Sequence, residues 1–227
     1  TYQTDFTSNP PDDKATLITS YADSLGSSAD GTNTGITLET SGQKLGTGYY
    51  SFSDSDGLVA TSTASDWDFL HNTTAKFTIS CWFKRPTSFD ATDRAVLFGT
   101  TDGTGAGIEF SYRDGSYGTD RLNFEMVDSS NGQVIVNALD SYFPDDSNWH
   151  HFCATYDASL GSNNYTVYLD GVLKTQATKS GTATDGNPAS ALKIGSGVSS
   201  LTWYSNWKLD DIGIWNVVLT STQVNQI

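Results

Sequence analysis

The sequence predicts an all-β fold in which two antiparallel sheets pack face to face as a single sandwich. Three observations predict it. Strand-like alternations recur about every ten to fifteen residues with turn residues between them, the spacing of a sandwich. β-branched and aromatic residues are plentiful while helix formers are scarce, with only Glu39, Glu109 and Glu125 as glutamates in 227 residues. The chain shows neither an internal repeat nor a dividing linker, so residues 1–227 read as one domain, with 1–45 a loop-rich strand and segment packed on the sandwich.

The elements follow in order. Tyr2 to Phe6 is expected to be a first edge strand, and Asn9-Pro-Pro-Asp-Asp13 breaks it. Lys14 to Ala22 is ambiguous and fits a helical turn; Asp23 to Gly31 is loop. Thr34 to Leu38, Gly48 to Phe52 and Gly57 to Thr61 read as strands. Phe77 to Lys84 alternates most regularly, and Arg94 to Phe98, Gly107 to Tyr112, Arg121 to Val127 and Val134 to Ala138 alternate after it. Trp149 to Tyr156 and Tyr165 to Leu169 come next. Asp170-Gly171 then turns the chain into Val172 to Gln176, since Asp-Gly between alternating runs is a strong hairpin signal. Ala191 to Gly195 and Lys208 to Trp215 complete about thirteen strands. Beyond the last, a Thr-Ser-Thr cap leads into one polar helical turn.

Charge excludes several partners. The net charge is −14 and arises almost entirely from aspartate. Such a surface repels phosphate backbones and anionic lipid, so nucleic acid is not an expected partner. No apolar run approaches the about eighteen residues that insert in a bilayer, so membrane insertion is not expected either. The aspartates read either as a solubilising surface or as clusters that hold Ca²⁺, a hard cation that takes oxygen ligands. The sequence starts at Thr1 without Met or an apolar leader, as expected of a processed chain or a piece of a longer one.

Cys81 and Cys153 each lie inside a strand-like run. They are either bridged, which would stabilise by roughly 4 kcal/mol through loop closure, or are buried free thiols on neighbouring strands.

A set of motifs, taken in order, resembles the LamG-like jelly-roll domains of the concanavalin A-like lectin/glucanase superfamily. Asp23-Ser-Leu-Gly-Ser-Ser-Ala-Asp-Gly-Thr-Asn-Thr-Gly35 is similar to the family's early Asp-Ser-Ser-Gly-Asn-Gly-x-Asp-Gly-Thr loop, and Tyr50-Ser-Phe-Ser-Asp-Ser-Asp56 to its Phe-Asp-Gly-x-Asp turn. Phe77-Thr-Ile-Ser-Cys-Trp-Phe-Lys84 resembles its Phe-Thr-Ile-Ser-x-Trp-Val-Lys strand. Trp149-His-His-Phe-Cys-Ala-Thr-Tyr-Asp157 is similar to Trp-x-His-Val-x-x-Thr-Tyr-Asp, and Tyr168-Leu-Asp-Gly171 to Tyr-Leu-Asp-Gly. Leu209-Asp-Asp-Ile-Gly-Ile-Trp-Asn216, with Leu219 to Val224 after it, is similar to the family's closing strand and tail.

The resemblance implies a jelly roll and, on its outer face, a structural Ca²⁺ that ties the early loop to the last strand. On this chain that site would use Asp23 or Asp30 with Asp210, and strict alternation places Asp210 on the face of Ile212 and Ile214. The competing reading is an Asp210 hydrogen-bonded to loop amides. Pentraxins, more distant relatives, join their counterparts of the two cysteine strands by a disulfide. Cys81 lies one residue later than the pentraxin position, and a one-residue offset turns a side chain to the other face.

No catalytic constellation stands out. The superfamily's retaining glucanases carry Glu-x-Asp-x-x-Glu on one strand, and no two glutamates here fall within five residues of each other. Glu109 and Glu125 could oppose one another on adjacent strands, as a glycosidase pair or as solvated or cross-paired groups. His150 and His151, as consecutive strand residues, face opposite sides and cannot form one site. Aromatic residues are the remaining resource. Trp203, Tyr204 and Trp207 with Asn206, and Tyr112 with Tyr117, lie in polar loops where rings stack on sugars and amides fix hydroxyls; alternatively the tryptophans plug the end of the core.

The reading that follows is a non-catalytic extracellular recognition or adhesion module, at a cell or virion surface, that binds a glycan. Two alternatives stand beside it: a structural subunit of an extracellular assembly (virion decoration or tail protein, surface layer or filament) that binds copies of itself or other subunits, and a diverged glycosidase.

Overall fold

The computed structural model describes residues 31–45, 48–52, 57–60, 63–86, 94–101, 106–113, 121–127, 133–139, 144, 146–178, 188–195 and 207–227. Within them the chain forms two antiparallel sheets of seven strands each. Sheet I runs β1 (Gly31–Thr34), β4 (Gly57–Ala60), β13 (Lys193–Ile194), β6 (Arg94–Gly99), β7 (Gly107–Arg113), β8 (Arg121–Val127), β9 (Gln133–Leu139). Sheet II runs β12 (Val172–Ala177), β11 (Tyr165–Leu169), β10 (His150–Asp157), β5 (Lys76–Lys84), β14 (Lys208–Trp215), β3 (Tyr49–Ser51), β2 (Thr37–Glu39). The expected sandwich is present. The strand expected at Thr34 to Leu38 divides, because Gly35 takes φ 97° and sends β1 and β2 into different sheets. The expected N-terminal strand at Tyr2 to Phe6 and the turn at Lys14 to Ala22 lie outside the described residues. A 3-10 helix at Ala64–Leu70, not anticipated from the sequence, leads into β5 and buries Trp67 and Leu70.

Alternation on β5 shows why the sheets pack. Phe77, Ile79, Cys81 and Phe83 point into the core between the sheets, while the intervening Thr78, Ser80 and Trp82 point to the outer face of sheet II. Phe110 on β7 sits at the centre, with its ring 4.5 Å from Phe124, 6.2 Å from Phe152 and 6.5 Å from both Phe77 and Phe98. Phe124 and Tyr165 stack across the sandwich at 4.8 Å and 10°. Each such ring, fully removed from water, stabilises by about 2–3 kcal/mol.

A second, smaller core lies on the outer face of sheet II. Cys153, Trp215, Leu219 and Val224 are buried there, with Tyr168 and Ile227 packed against them. Thr78 fastens the tail that covers it, donating its hydroxyl to Val217 O at 2.8 Å and accepting the Leu219 amide at 2.9 Å. The tail closes in a helical turn at Ser221–Val224 whose capping box joins Thr220 and Gln223.

The cysteines occupy different cores. Cys81 faces the main one and Cys153 the outer one, and in the register Cys81 opposes Phe152 while Cys153 opposes Ser80. Both are buried thiols and the bridge between Cys81 and Cys153 is not formed: opposite faces of a sheet keep the sulfurs apart. Burial pushes the Cys81 thiol up, with the neighbouring Cys153 and Asp211 adding to the shift, which leaves it unreactive at neutral pH.

Candidate functional site

The rings expected on the surface divide in two. Tyr117, Trp203, Tyr204 and Asn206 lie outside the described residues, as do Asp23 and Asp30. Tyr112 and Trp207, expected to bind ligand, are both fully buried. The reason is parity. Tyr112 follows Ile108 and Phe110 at every second position of β7, so it points inward with them, and Trp207 packs 5.6 Å from it and 5.3 Å from Phe83. The Arg85 guanidinium covers the remaining face of Tyr112 at 4.4 Å. These rings end the core; they do not receive a sugar. The apolar series at 108, 110 and 112 carried that signal.

Asp210 lies on the other face from the one that strict alternation gives it. Asp210 pairs with Trp82 and Gly213 with Ser80, so β14 advances three residues while β5 advances two. That β-bulge, with Asp211 at φ 49°, turns Asp210 outward while Leu209, Ile212 and Ile214 stay with the main core. The Asp210 carboxylate is buried and accepts the amides of Lys44 at 2.7 Å and Leu45 at 2.9 Å through one oxygen, Oδ2. Burial raises its pKa, the amide hydrogen bonds oppose that rise, and the adjacent Asp211 adds to it. Among the described residues no three His, Cys, Asp or Glu side chains converge as metal ligands. Asp210 has the hard oxygen chemistry that Ca²⁺ takes, although two N–H donors already compensate its Oδ2 charge.

The segment pinned by Asp210 helps build a surface of mixed chemistry. Lys44 Nζ stands 4.1 Å from the Trp82 ring centroid. Lys208 Nζ lies 5.3 Å from the Tyr49 centroid and donates to the Tyr49 hydroxyl at 3.3 Å. Trp149 meets Tyr49 edge to face at 5.3 Å and donates its indole N–H to Gly42 O at 2.9 Å. Trp82 and Trp149 are half-buried, so ring surface and two ammonium groups are presented together at one rim of sheet II. Rings offer stacking and ammoniums offer hydrogen bonds to hydroxyl or carboxylate oxygens. Sequence reasoning missed this cluster because its members come from residues 42 to 208 and meet only through the bulge and the pinned segment.

Glu109 and Glu125 do oppose each other, as expected of cross-strand partners on β7 and β8. They point away from the main core and are only 3% and 6% exposed. His150 and His151 face opposite sides: His151 packs on Trp82 at 5.2 Å, and His150 lies 5.9 Å from Phe83.

Comparison with known proteins agrees with this fold. The family model matching residues 46–225 is that of a laminin-G-type domain described as the concanavalin A-like lectin/glucanases superfamily. No curated protein matches the sequence. Among solved structures, domain 4 of AbnA, a GH43 extracellular arabinanase from Geobacillus stearothermophilus, in complex with arabinotriose, is similar at 18% identity and a TM-score of 0.64, covering 91% of this chain and 92% of that domain. The receptor-binding domain of botulinum neurotoxin type G is similar at 15% identity and a TM-score of 0.61, covering 91% of this chain. That of botulinum neurotoxin D is similar at 13% identity and a TM-score of 0.63, covering 89% of this chain. The chain spans about half the length of the toxin domains, 49% and 48% respectively.

Proposed function

This chain belongs to the concanavalin A-like lectin/glucanases superfamily, and from that premise we propose that it is a non-catalytic extracellular recognition module that binds glycans weakly. The observation that carries the reading is the near end-to-end match, 91% against 92%, to a domain solved with arabinotriose. The half-buried rings of Trp149 and Trp82 beside Lys44 and Lys208 supply matching chemistry: a ring to stack on a pyranose or furanose, and donors for its oxygens. Burial of Glu109 and Glu125 speaks against the glycosidase reading, which needs both carboxyls at the substrate. A glycan array in calcium, with a parallel array in chelator, tests it. A related set of sugars is expected to bind, and Trp149→Ala is expected to lose them while the fold persists; a blank array under both conditions would sink the reading.

A structural Ca²⁺ at Asp210 belongs to the same proposal. It would join the early loop to β14 and play no part in chemistry. Its test is a calcium-dependent rise in the thermal midpoint that disappears in Asp210→Asn.

One observation favours a second reading, a subunit of an extracellular assembly. Among the described residues β12 is an edge strand of sheet II, and it leaves Val172 57% and Leu173 49% exposed. Sedimentation decides: concentration-dependent oligomers abolished by Leu173→Lys support the subunit, and a monomer at all concentrations removes it.

A further inference from the structure

We propose that His150 is a pH-sensitive latch that holds the segment preceding β10, and Trp149 with it, onto the β11–β12 turn. The geometry is specific. His150 Nδ1 lies 2.8 Å from Asp170 Oδ2, and Nε2 lies 3.1 Å from Asp146 Oδ1. An ionised carboxylate only accepts hydrogen bonds, whereas a neutral imidazole has one donor nitrogen and one acceptor. Both contacts are satisfied together only by the imidazolium. Loss of the ring proton therefore turns a lone pair toward one of the two carboxylates and breaks that arm.

Each arm is fixed at its far end. Asp170 uses its other oxygen, Oδ1, to accept the His151 amide at 2.9 Å, and it sits in the turn at φ 50°. Asp146 is held by the Asn148 amide and side chain, each at 2.9 Å. Phe83 from β5 closes the apolar side of the ring. Among the described residues the charged groups that face the imidazole are these two aspartates, one from the preceding segment and one from the turn. The neighbouring His151 looks to the opposite face. Trp149, between Asp146 and His150 in the latched segment, is the residue that reaches Gly42 and Tyr49, so opening the latch frees the Trp149 end of the rim cluster.

Titration agrees with the geometry. Burial lowers the His150 pKa, but hydrogen bonds to Asp170 and Asp146, and then their charges, outweigh it, and the net shift is upward from 6.5. Asp146 is drawn down to about 2, first by the Asn148 side chain, then by the Asn148 amide and His150. A raised histidine contributes stability that is complete below its unfolded value and is lost as pH rises through the folded one. A depressed aspartate contributes above its unfolded value and loses that contribution as pH falls toward about 2. The Asp146 arm is thus held from about pH 2 up to the raised His150 midpoint, and the latch opens above that midpoint.

The test is an NMR titration of the full chain that follows the His150 ring and the Trp149 indole N–H in one sample. Both are expected to titrate with a common midpoint above 6.5. Asp146→Asn, a substitution at the surface, is expected to lower that midpoint, and His150→Gln to abolish the Trp149 transition while leaving the other indole signals in place. A His150 midpoint at or below 6.5, an unchanged midpoint in Asp146→Asn, or a Trp149 signal indifferent to pH in the wild-type chain would each overturn the latch.

Discussion

Sheet II has two coverings on its outer face, and they are built on different physics. At one end the tail from Asn216 to Ile227 lies over Trp215, Cys153 and Tyr168, and Thr78 anchors it to the strands beneath. At the other end residues 42 to 45 are fixed by two amides on a buried carboxylate, a carbonyl on an indole and an ammonium over a ring. The first covering gains mainly from area removed from water, which is indifferent to charge. The second gains from hydrogen bonds and ion–quadrupole attraction around a charge whose burial is itself costly. The lesson is that one fold keeps an apolar seal at one end and a polar, titratable surface at the other, and the polar end is where a ligand would be met.

The difference can be broken from either side. Trp215→Ala should cost most, about 3–5 kcal/mol, because it empties the centre of the outer core; urea unfolding would measure it, and the loss should be the same at pH 5 and pH 8. Asp210→Ala should cost about 1–3 kcal/mol by leaving the Lys44 and Leu45 amides without an acceptor. Here pH matters. A carboxyl whose folded pKa is raised binds its proton more tightly in the native state, so its ionisation lowers stability as pH rises from its unfolded value, near 3.8, through the folded one. Asp210→Asn should remove that slope, read as a flatter stability curve across acidic pH; an unchanged slope would assign it to another group. Lys44→Ala should cost least, about 0.5–1 kcal/mol, with the fluorescence of Trp82 altered and the apolar seal untouched.

Much of this was legible in the chain. The alternations at Phe77 to Lys84 and Trp149 to Tyr156 and the Asp170-Gly171 turn gave the centre of sheet II directly, because each strand buries one face and period two is then enforced. The Thr-Ser-Thr cap at 220–222 announced the final helical turn. What stayed hidden depends on single backbone departures. Gly35 splits one apparent strand into two sheets, and Asp211 inserts a residue that reverses the face of Asp210. Local polarity around Tyr112 suggested an exposed ring, but its place in the 108–110–112 series decided its burial. The Lys44, Trp82, Tyr49 and Trp149 cluster has no sequence signature at all, since each residue is ordinary in its own segment.

The position of β14 has a consequence for the order in which the chain can assemble. β14 lies between β5 and β3, and Asp210 pairs with Trp82, a separation of 128 residues (210 − 82). Nearly the whole described chain must therefore be synthesised before the middle of sheet II can close, and such long-range pairing is intrinsically slow. Until then β5 and β3 each present an open edge in an emerging chain, the kind of surface that draws two unfinished copies together. Conditions that slow synthesis or crowd nascent copies should thus reduce the soluble yield long before they affect the finished molecule.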